Sequence, residues 1–433
     1  MKVYRFTALL QNEGWVSPAY VAIDEAGRIT YLAELPPPHA TAVETVEGLA
    51  LPGFYNAHSH AFQYAMAGQA ELHPTGITDD FWTWRESMYR CALHLSPDDL
   101  ERTAAVCYRQ MIRHGYTHVA EFHYLHHHID GKPYTNPAEM GERLLAAAAT
   151  AGIRITLIPV FYQKGGFGME PLPAQRRFIC PTAEAYLTLL EHTRRAVTCY
   201  EGASLGFGVH SLRAAEPQAT IEIIQAGSDQ LPFHIHAAEQ LKEVTDCQKF
   251  LKQRPVEWIL NNLPVSSRFH LVHCTHLTEQ EVQQMAQSDA NVVLCPSTEA
   301  NLGDGIFRLT EYLKAGGRFS VGSDSQVCLN PLEELRWLDY TQRLVTHRRN
   351  TFTDGGLTLM NITLAAGRRA MGIAATSFFA PGQPLDAAVF TLPPEKDFDK
   401  TTALAELLYA SAGTLAGTLI GGRWQYRHPA VAI

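Results

Sequence analysis

Eight short apolar runs, each followed by a segment with helical patterning, occupy residues 53–321 of this 433-residue chain. They lie near 53–56, 117–122, 154–162, 205–209, 232–235, 269–272, 291–294 and 319–321. Runs this short and this apolar read as strands buried on both faces, which is the habit of parallel sheets with helical crossovers. The clearest intervening helix starts at Ser96 as N-cap, with Pro97 at the first helical position and Asp98 and Asp99 in the first turn, and ends before Gly115. Eight strand–helix units over roughly 300 residues is the pattern of a closed α/β barrel, the (β/α)8 TIM-like fold.

The two ends of the chain have a different texture. Residues 3–10, 15–23 and 28–33 read as short strands broken by Gly14 and Gly27, and the tail returns to strand-like runs at 387–392 and 415–426. Short isolated strands do not stand alone. We therefore expect residues 1–51 and 373–433 to pair as one small β-sandwich domain beside a barrel spanning 52–372. The composition, 46% hydrophobic and 18% charged, suits a compact enzyme. A net charge of −9 argues against nucleic acid as a partner, and an anionic substrate would need a local cationic site. The eight cysteines include no Cys-x-x-Cys pair, and no stretch reaches transmembrane length or forms a signal-peptide core. The expected location is the cytoplasm, with no membrane partner.

In a barrel of this kind, functional groups gather at the C-terminal ends of the strands. The first run ends in His58-Ser59-His60, whose histidines share a face because strand side chains alternate. Further candidates leave later runs: His210, His236 with Glu239 three residues on, His273, and Asp324. Three imidazoles and a carboxylate suit zinc or another divalent ion with one position open for water. Strand geometry does not choose between His234 and His236. Nearness to the strand exit and to Glu239 favours His236, leaving His234 as a hydrogen-bonded core histidine.

Pro52-Gly53, His58-x-His60, His236-x-x-Glu239, His273, Gly322-Ser323-Asp324 and the closing segment from Gly382 to Val389 together resemble the amidohydrolase superfamily, and within it the deaminase branch that uses one zinc. The fourth run carries His210 where two-metal relatives keep a carboxylated lysine. The resemblance implies that His58, His60, His236 and Asp324 hold one Zn2+. It also implies that Asp324 accepts a proton as hydroxide attacks an amidine-like carbon, that His273 orients the nucleophile, and that Glu239 carries protons to the leaving ammonia. A homodimer is a family expectation.

The substrate is read from the segments around the strand ends. An arginine just past a strand offers a bidentate clamp for a carboxylate, and Arg213 and Arg85 are the candidates, Arg85 lying in what reads as a loop over 79–86. Residues 54–63 together with 209–213 are similar to the family branch that hydrolyses N-formimino-L-glutamate to N-formyl-L-glutamate and ammonia in histidine degradation. That likeness implies Gln63, Arg85, Tyr124, His210 and Arg213 as contacts to a small anionic amidine. A deaminase of a purine or other cyclic amidine, or a chlorohydrolase-like relative, is the alternative; such a neutral substrate would need neither arginine. His126-His127-His128 reads as an exposed loop, and Trp82 with Trp84 as a lid or as loop packing.

Overall fold

A computed structural model describes residues 2–429 apart from 39, 41, 73–75, 77–78, 350, 375–376 and 394. Each of the eight apolar runs is a strand. In order they are Phe54–Ser59, Tyr116–His123, Arg154–Phe161, Phe207–Ser211, Phe233–Ala237, Phe269–His273, Asn291–Leu294 and Arg318–Val321, here called the first to eighth barrel strands. Consecutive strands hydrogen-bond in parallel, and the short strand Ala203–Leu205 pairs with the third. Almost every residue in the eight is buried, which is why they read as continuous apolar runs.

Among the described residues, one bridge, between Ser59 and Asp324 just beyond the eighth strand, joins the two edges of the barrel. Asp324 N donates to the His58 carbonyl at 3.0 Å, and His60 N donates to the Asp324 carbonyl at 3.2 Å. Gly322 makes this closure possible: a Cβ there would lie 2.8 Å from the backbone N and O of His58. The seam of the barrel therefore runs through the candidate metal ligands.

The helix Pro97–Arg113 begins as the sequence predicts. Ser96 Oγ accepts from Asp99 N at 3.1 Å, and Asp99 Oδ2 accepts from Ser96 N at 3.1 Å, a reciprocal cap. Both chain ends contribute to one continuous mixed sheet. Its order is Arg423–Arg427, Thr414–Ile420, Ala387–Thr391, Glu44–Pro52, Lys2–Gln11, Ala19–Ile23, Ile29–Ala33, with Gly14–Val16 paired to Lys2–Gln11. Among the described residues, only Lys2–Gln11 and Glu44–Pro52 run parallel in it. The run at 15–23 is two strands, separated at Ser17-Pro18, and the run at 415–426 divides at Gly421-Gly422. Proline offers no ladder N–H, and the glycines take positive φ, so each pair breaks a ladder that apolarity alone would continue.

Two local expectations are corrected. Arg85 lies on a helix, Phe81–His94, not in a loop: Asp80 accepts from Trp82 N and Thr83 N, and Thr83 Oγ1 accepts from Asp80 N, so the segment opens with a full capping box. The triple histidine is not an exposed loop. His126 is buried with Nε2 donating to the Val160 carbonyl, His127 is half-buried with Nε2 donating to the Ile179 carbonyl, and only His128 is exposed. No helix among the described residues is long and apolar enough to cross a membrane.

Candidate active site

The mouth of the barrel brings four ligand atoms together. One atom from each of His58, His60, His236 and Asp324, all buried, lies within 4.8 Å of the others. His58 Nε2 is 3.1 Å from His60 Nε2 and 3.0 Å from His236 Nε2, and His60 Nε2 is 3.1 Å from Asp324 Oδ1. Tetrahedral coordination at about 2.0–2.1 Å separates ligand atoms by roughly 3.3 Å, so the spacing matches a divalent ion.

The protonation pattern points the same way. His60 Nδ1 donates to the Phe122 carbonyl at 2.8 Å, and His236 Nδ1 donates to the His210 carbonyl at 2.9 Å. Each bond fixes a tautomer with the Nε2 lone pair facing inward. Burial, followed by the neighbouring histidine His60, pushes His58 down to about 3, and burial holds His236 well below the ordinary range. Burial alone would raise the carboxyl of Asp324, but its contacts with His58 and His60 hold it well below the ordinary range. Imidazole nitrogens gathered beside a carboxylate form an electron-rich pocket that a cation completes. His234 is elsewhere: its Nε2 donates to the Ala370 carbonyl at 2.8 Å and its ring lies tilted beside that of His270, centroids 4.7 Å apart.

Beside the cluster stands a chain of charges. His273 Nε2 lies 3.8 Å from Asp324 Oδ2 and 3.7 Å from Glu239 Oε1, while its Nδ1 lies 3.3 Å from Glu299 Oε1. Burial would depress this imidazole, but the charge of Glu239, the hydrogen bond to Glu299 and the charge of Asp324 raise it to about 10. Glu239 Oε2 accepts from Arg213 Nη2 at 3.2 Å, and Glu243 Oε2 accepts from Arg213 Nη1 at 3.4 Å and from Glu239 N at 3.1 Å.

One cavity is lined by His60, His236, Glu239, His273 and Asp324 together with Gln63, Arg85, Tyr124, His210 and Arg213. The residues singled out in the sequence thus share one chamber, His58 lying behind its wall. Gln63 Nε2 donates to Tyr124 Oη at 3.0 Å, leaving Gln63 Oε1 buried without a partner. Arg85 and Arg213 differ. Arg213 is paired with two carboxylates, whereas Arg85 stacks on Trp82, 4.5 Å from the ring centroid, and on Tyr89, and makes no ion pair among the described residues. Trp82 also lies under Arg213 and Lys242, so its indole packs cations rather than a loop.

Glu243 and Glu299 were not singled out from sequence. Glu243 lies four residues after Glu239, in the first turn of the helix Leu241–Leu251, and Glu299 follows the seventh strand, so the rule that located the histidines also covers them. Non-glycine residues in the left-handed region cluster at these strand ends: Ala238, His273, Cys274, Asp324 and Gln326. Such backbone is held only where the surroundings enforce it, and it concentrates at functional sites.

The model of the Amidohydrolase family matches residues 49–424. A formimidoylglutamate deiminase of Pseudomonas aeruginosa is 49% identical over 370 residues, covering 84% of this chain and 80% of that protein. The crystal structure of an amidohydrolase from Brucella melitensis superposes with a TM-score of 0.91 at 37% identity, over 99% of this chain and 96% of that one. An adenosine deaminase from Xanthomonas campestris, solved with bound zinc, shares the fold at 21% identity and a TM-score of 0.80, over 98% and 92% of the two chains. With a family model spanning most of its length, this chain belongs to the amidohydrolase family.

Proposed function

We propose that this protein hydrolyses the formimino group of N-formimino-L-glutamate, giving N-formyl-L-glutamate and ammonia, a step of histidine degradation. The observation that carries the reading is two guanidinium groups, Arg85 and Arg213, in the wall of the chamber that also holds the ligand cluster. A neutral cyclic amidine has no use for either, whereas a substrate with two carboxylates has use for both. The 49% identity to a formimidoylglutamate deiminase supports the same substrate.

His58, His60, His236 and Asp324 would hold one Zn2+, and a divalent ion there supplies Lewis-acid activation of water. The residues around it account for the rest. Water adds to the formimino carbon, the C–NH2 bond breaks, and a C=O bond replaces it as ammonia leaves. Asp324 takes the proton of the attacking water. Glu239, between His273 and Arg213, passes a proton to the departing nitrogen. The raised His273 imidazolium stabilises negative charge developing at the new oxygen.

Arg85, unpaired with any described carboxylate, takes one substrate carboxylate. Arg213 holds Glu239 and offers its remaining N–H groups to the other. Gln63, Tyr124 and His210 complete the contacts to the glutamate moiety. The test is ammonia release from formiminoglutamate, formiminoaspartate, guanine and adenosine. Formiminoglutamate should be turned over fastest; preferential release from guanine or adenosine would replace this reading with a purine deaminase.

A further inference from the structure

His60 and Asp324 come from opposite ends of the barrel sequence, yet the groups behind them form one hydrogen-bonded chain. On one side, the buried Glu121 holds both residues that flank His60. Ser59 Oγ donates to Glu121 Oε2 at 2.7 Å, and Ala61 N donates to Glu121 Oε1 at 2.6 Å. The next residue of the same strand, Phe122, takes the Nδ1 proton of His60 on its carbonyl. Two consecutive residues therefore fix the backbone on either side of this ligand and the orientation of its ring.

On the other side stands Gln326. Its Nε2 donates to Ser59 Oγ at 2.9 Å and to the Asp324 carbonyl at 2.8 Å. Its Oε1 accepts from Ser323 Oγ at 2.7 Å, and Ser323 Oγ accepts from Asn56 Nδ2 at 2.7 Å. Asp324 and Gln326 have φ of 48° and 68°, the left-handed region that side chains avoid, so this turn depends on being held. Ser59 is the join, donating to Glu121 and accepting from Gln326. Glu121, Ser59, Ser323 and Gln326 are all buried, and none lines the chamber.

We infer that Glu121 and Gln326 are positioning residues that set the metal affinity of the centre, one through His60 and the other through Asp324, coupled across the barrel seam by Ser59. The inference rests on the reading of the four-residue cluster as a metal centre. Partners behind metal ligands fix ring and carboxylate orientation, and their loss weakens binding by roughly 10–100-fold. A role confined to closing the barrel would instead lower the stability of the metal-free protein and leave the affinity alone.

The experiment measures zinc affinity of the metal-free protein by competition with a chromophoric chelator, alongside its melting temperature without metal. Glu121→Gln keeps the shape but turns an amide N–H group toward one of two donors. Gln326→Met keeps the length without polar atoms. Each should weaken zinc by roughly 10–100-fold, with kcat recovering at saturating zinc. The double variant should lose less than the product of the single losses, because both act through Ser59. Ser59→Ala, which removes the join with little change in volume, replaces either variant that fails to fold. Affinities within about twofold of the parent, or a lower metal-free melting temperature at unchanged affinity, would overturn the inference. Failure of the unaltered protein to bind zinc, with His236→Ala behaving identically, would instead sink the reading of the centre.

Discussion

Arg213 Nη2 donates to Glu239 Oε2 at 3.2 Å, and both side chains are buried. The arginine nearest the reacting groups is thus already committed to a carboxylate, and through Nη1 to a second one, Glu243. Removing it strands two buried carboxylates without their counter-charge, which is strongly destabilising. Arg85 has no such partner among the described residues, and its loss strands nothing.

The two arginines should therefore fail differently. Arg85→Met should lower kcat/KM for formiminoglutamate by at least ~30-fold, the lower end of the cost of losing a desolvated charge pair. It should barely affect an analogue with amidated carboxylates. Arg213→Met should depress both substrates, because Glu239 loses the donor that holds it. Steady-state kinetics on the two substrates would decide. The reverse pattern, with Arg213→Met selective for the charged substrate, would exchange their roles.

Glu239→Gln should keep the metal and lose roughly two to four orders of magnitude in turnover, since an amide does not cycle a proton. Its side chain still accepts from Arg213, so the melting temperature should change little. Metal analysis and single-turnover kinetics check both halves. Near-normal turnover would remove Glu239 from proton transfer.

The barrel and its candidate ligand cluster were legible because they leave signals within one short window. A strand buried on both faces is a continuous apolar run, and a histidine or aspartate at its exit stands out against it. The fourfold cluster of His58, His60, His236 and Asp324 matches the set expected from those exits. What stayed hidden depends on pairings between distant windows. Glu121, inside the second strand, looks like any acidic residue until Ser59 and Ala61 are placed around it. Ser59 and Gln326 are 267 positions apart and meet only when the barrel closes. The helix carrying Arg85 was obscured by its run of aromatic and charged residues, and its one local signal, Asp80 three residues before Thr83, departs from the usual Ser/Thr-x-x-Glu cap.

Metal removal should separate the two histidines of the fifth strand. His236→Ala should lose the ion on passage over a size-exclusion column, and His234→Gln should retain one equivalent per chain. Chelation should lower the melting temperature of the parent and of His234→Gln, since an ion bound only by the folded state stabilises it by mass action, and should leave His236→Ala unmoved. If the His234 variant lost the ion and the His236 variant kept it, the ligand would be misassigned.

His234 should also leave a mark on acid stability. Burial pushes its imidazole down to about 4, against about 6.5 in the unfolded chain. Between those values the unfolded chain binds a proton that the folded protein refuses, so stability falls as pH drops through that window. One such group is worth about 3 kcal/mol across the whole interval, or roughly 1.4 kcal/mol per pH unit. His234→Gln keeps an N–H donor for the Ala370 carbonyl and removes the titration. Near pH 7.5 the variant should be less stable than the parent, because the amide fills the ring's space poorly. From pH 6.5 to 4.5 the gap should narrow or invert, the variant losing stability less steeply. Urea unfolding at a series of pH values reads the slope directly. Parallel curves for the two proteins would mean that His234 is protonated in the folded barrel and that burial does not hold it neutral.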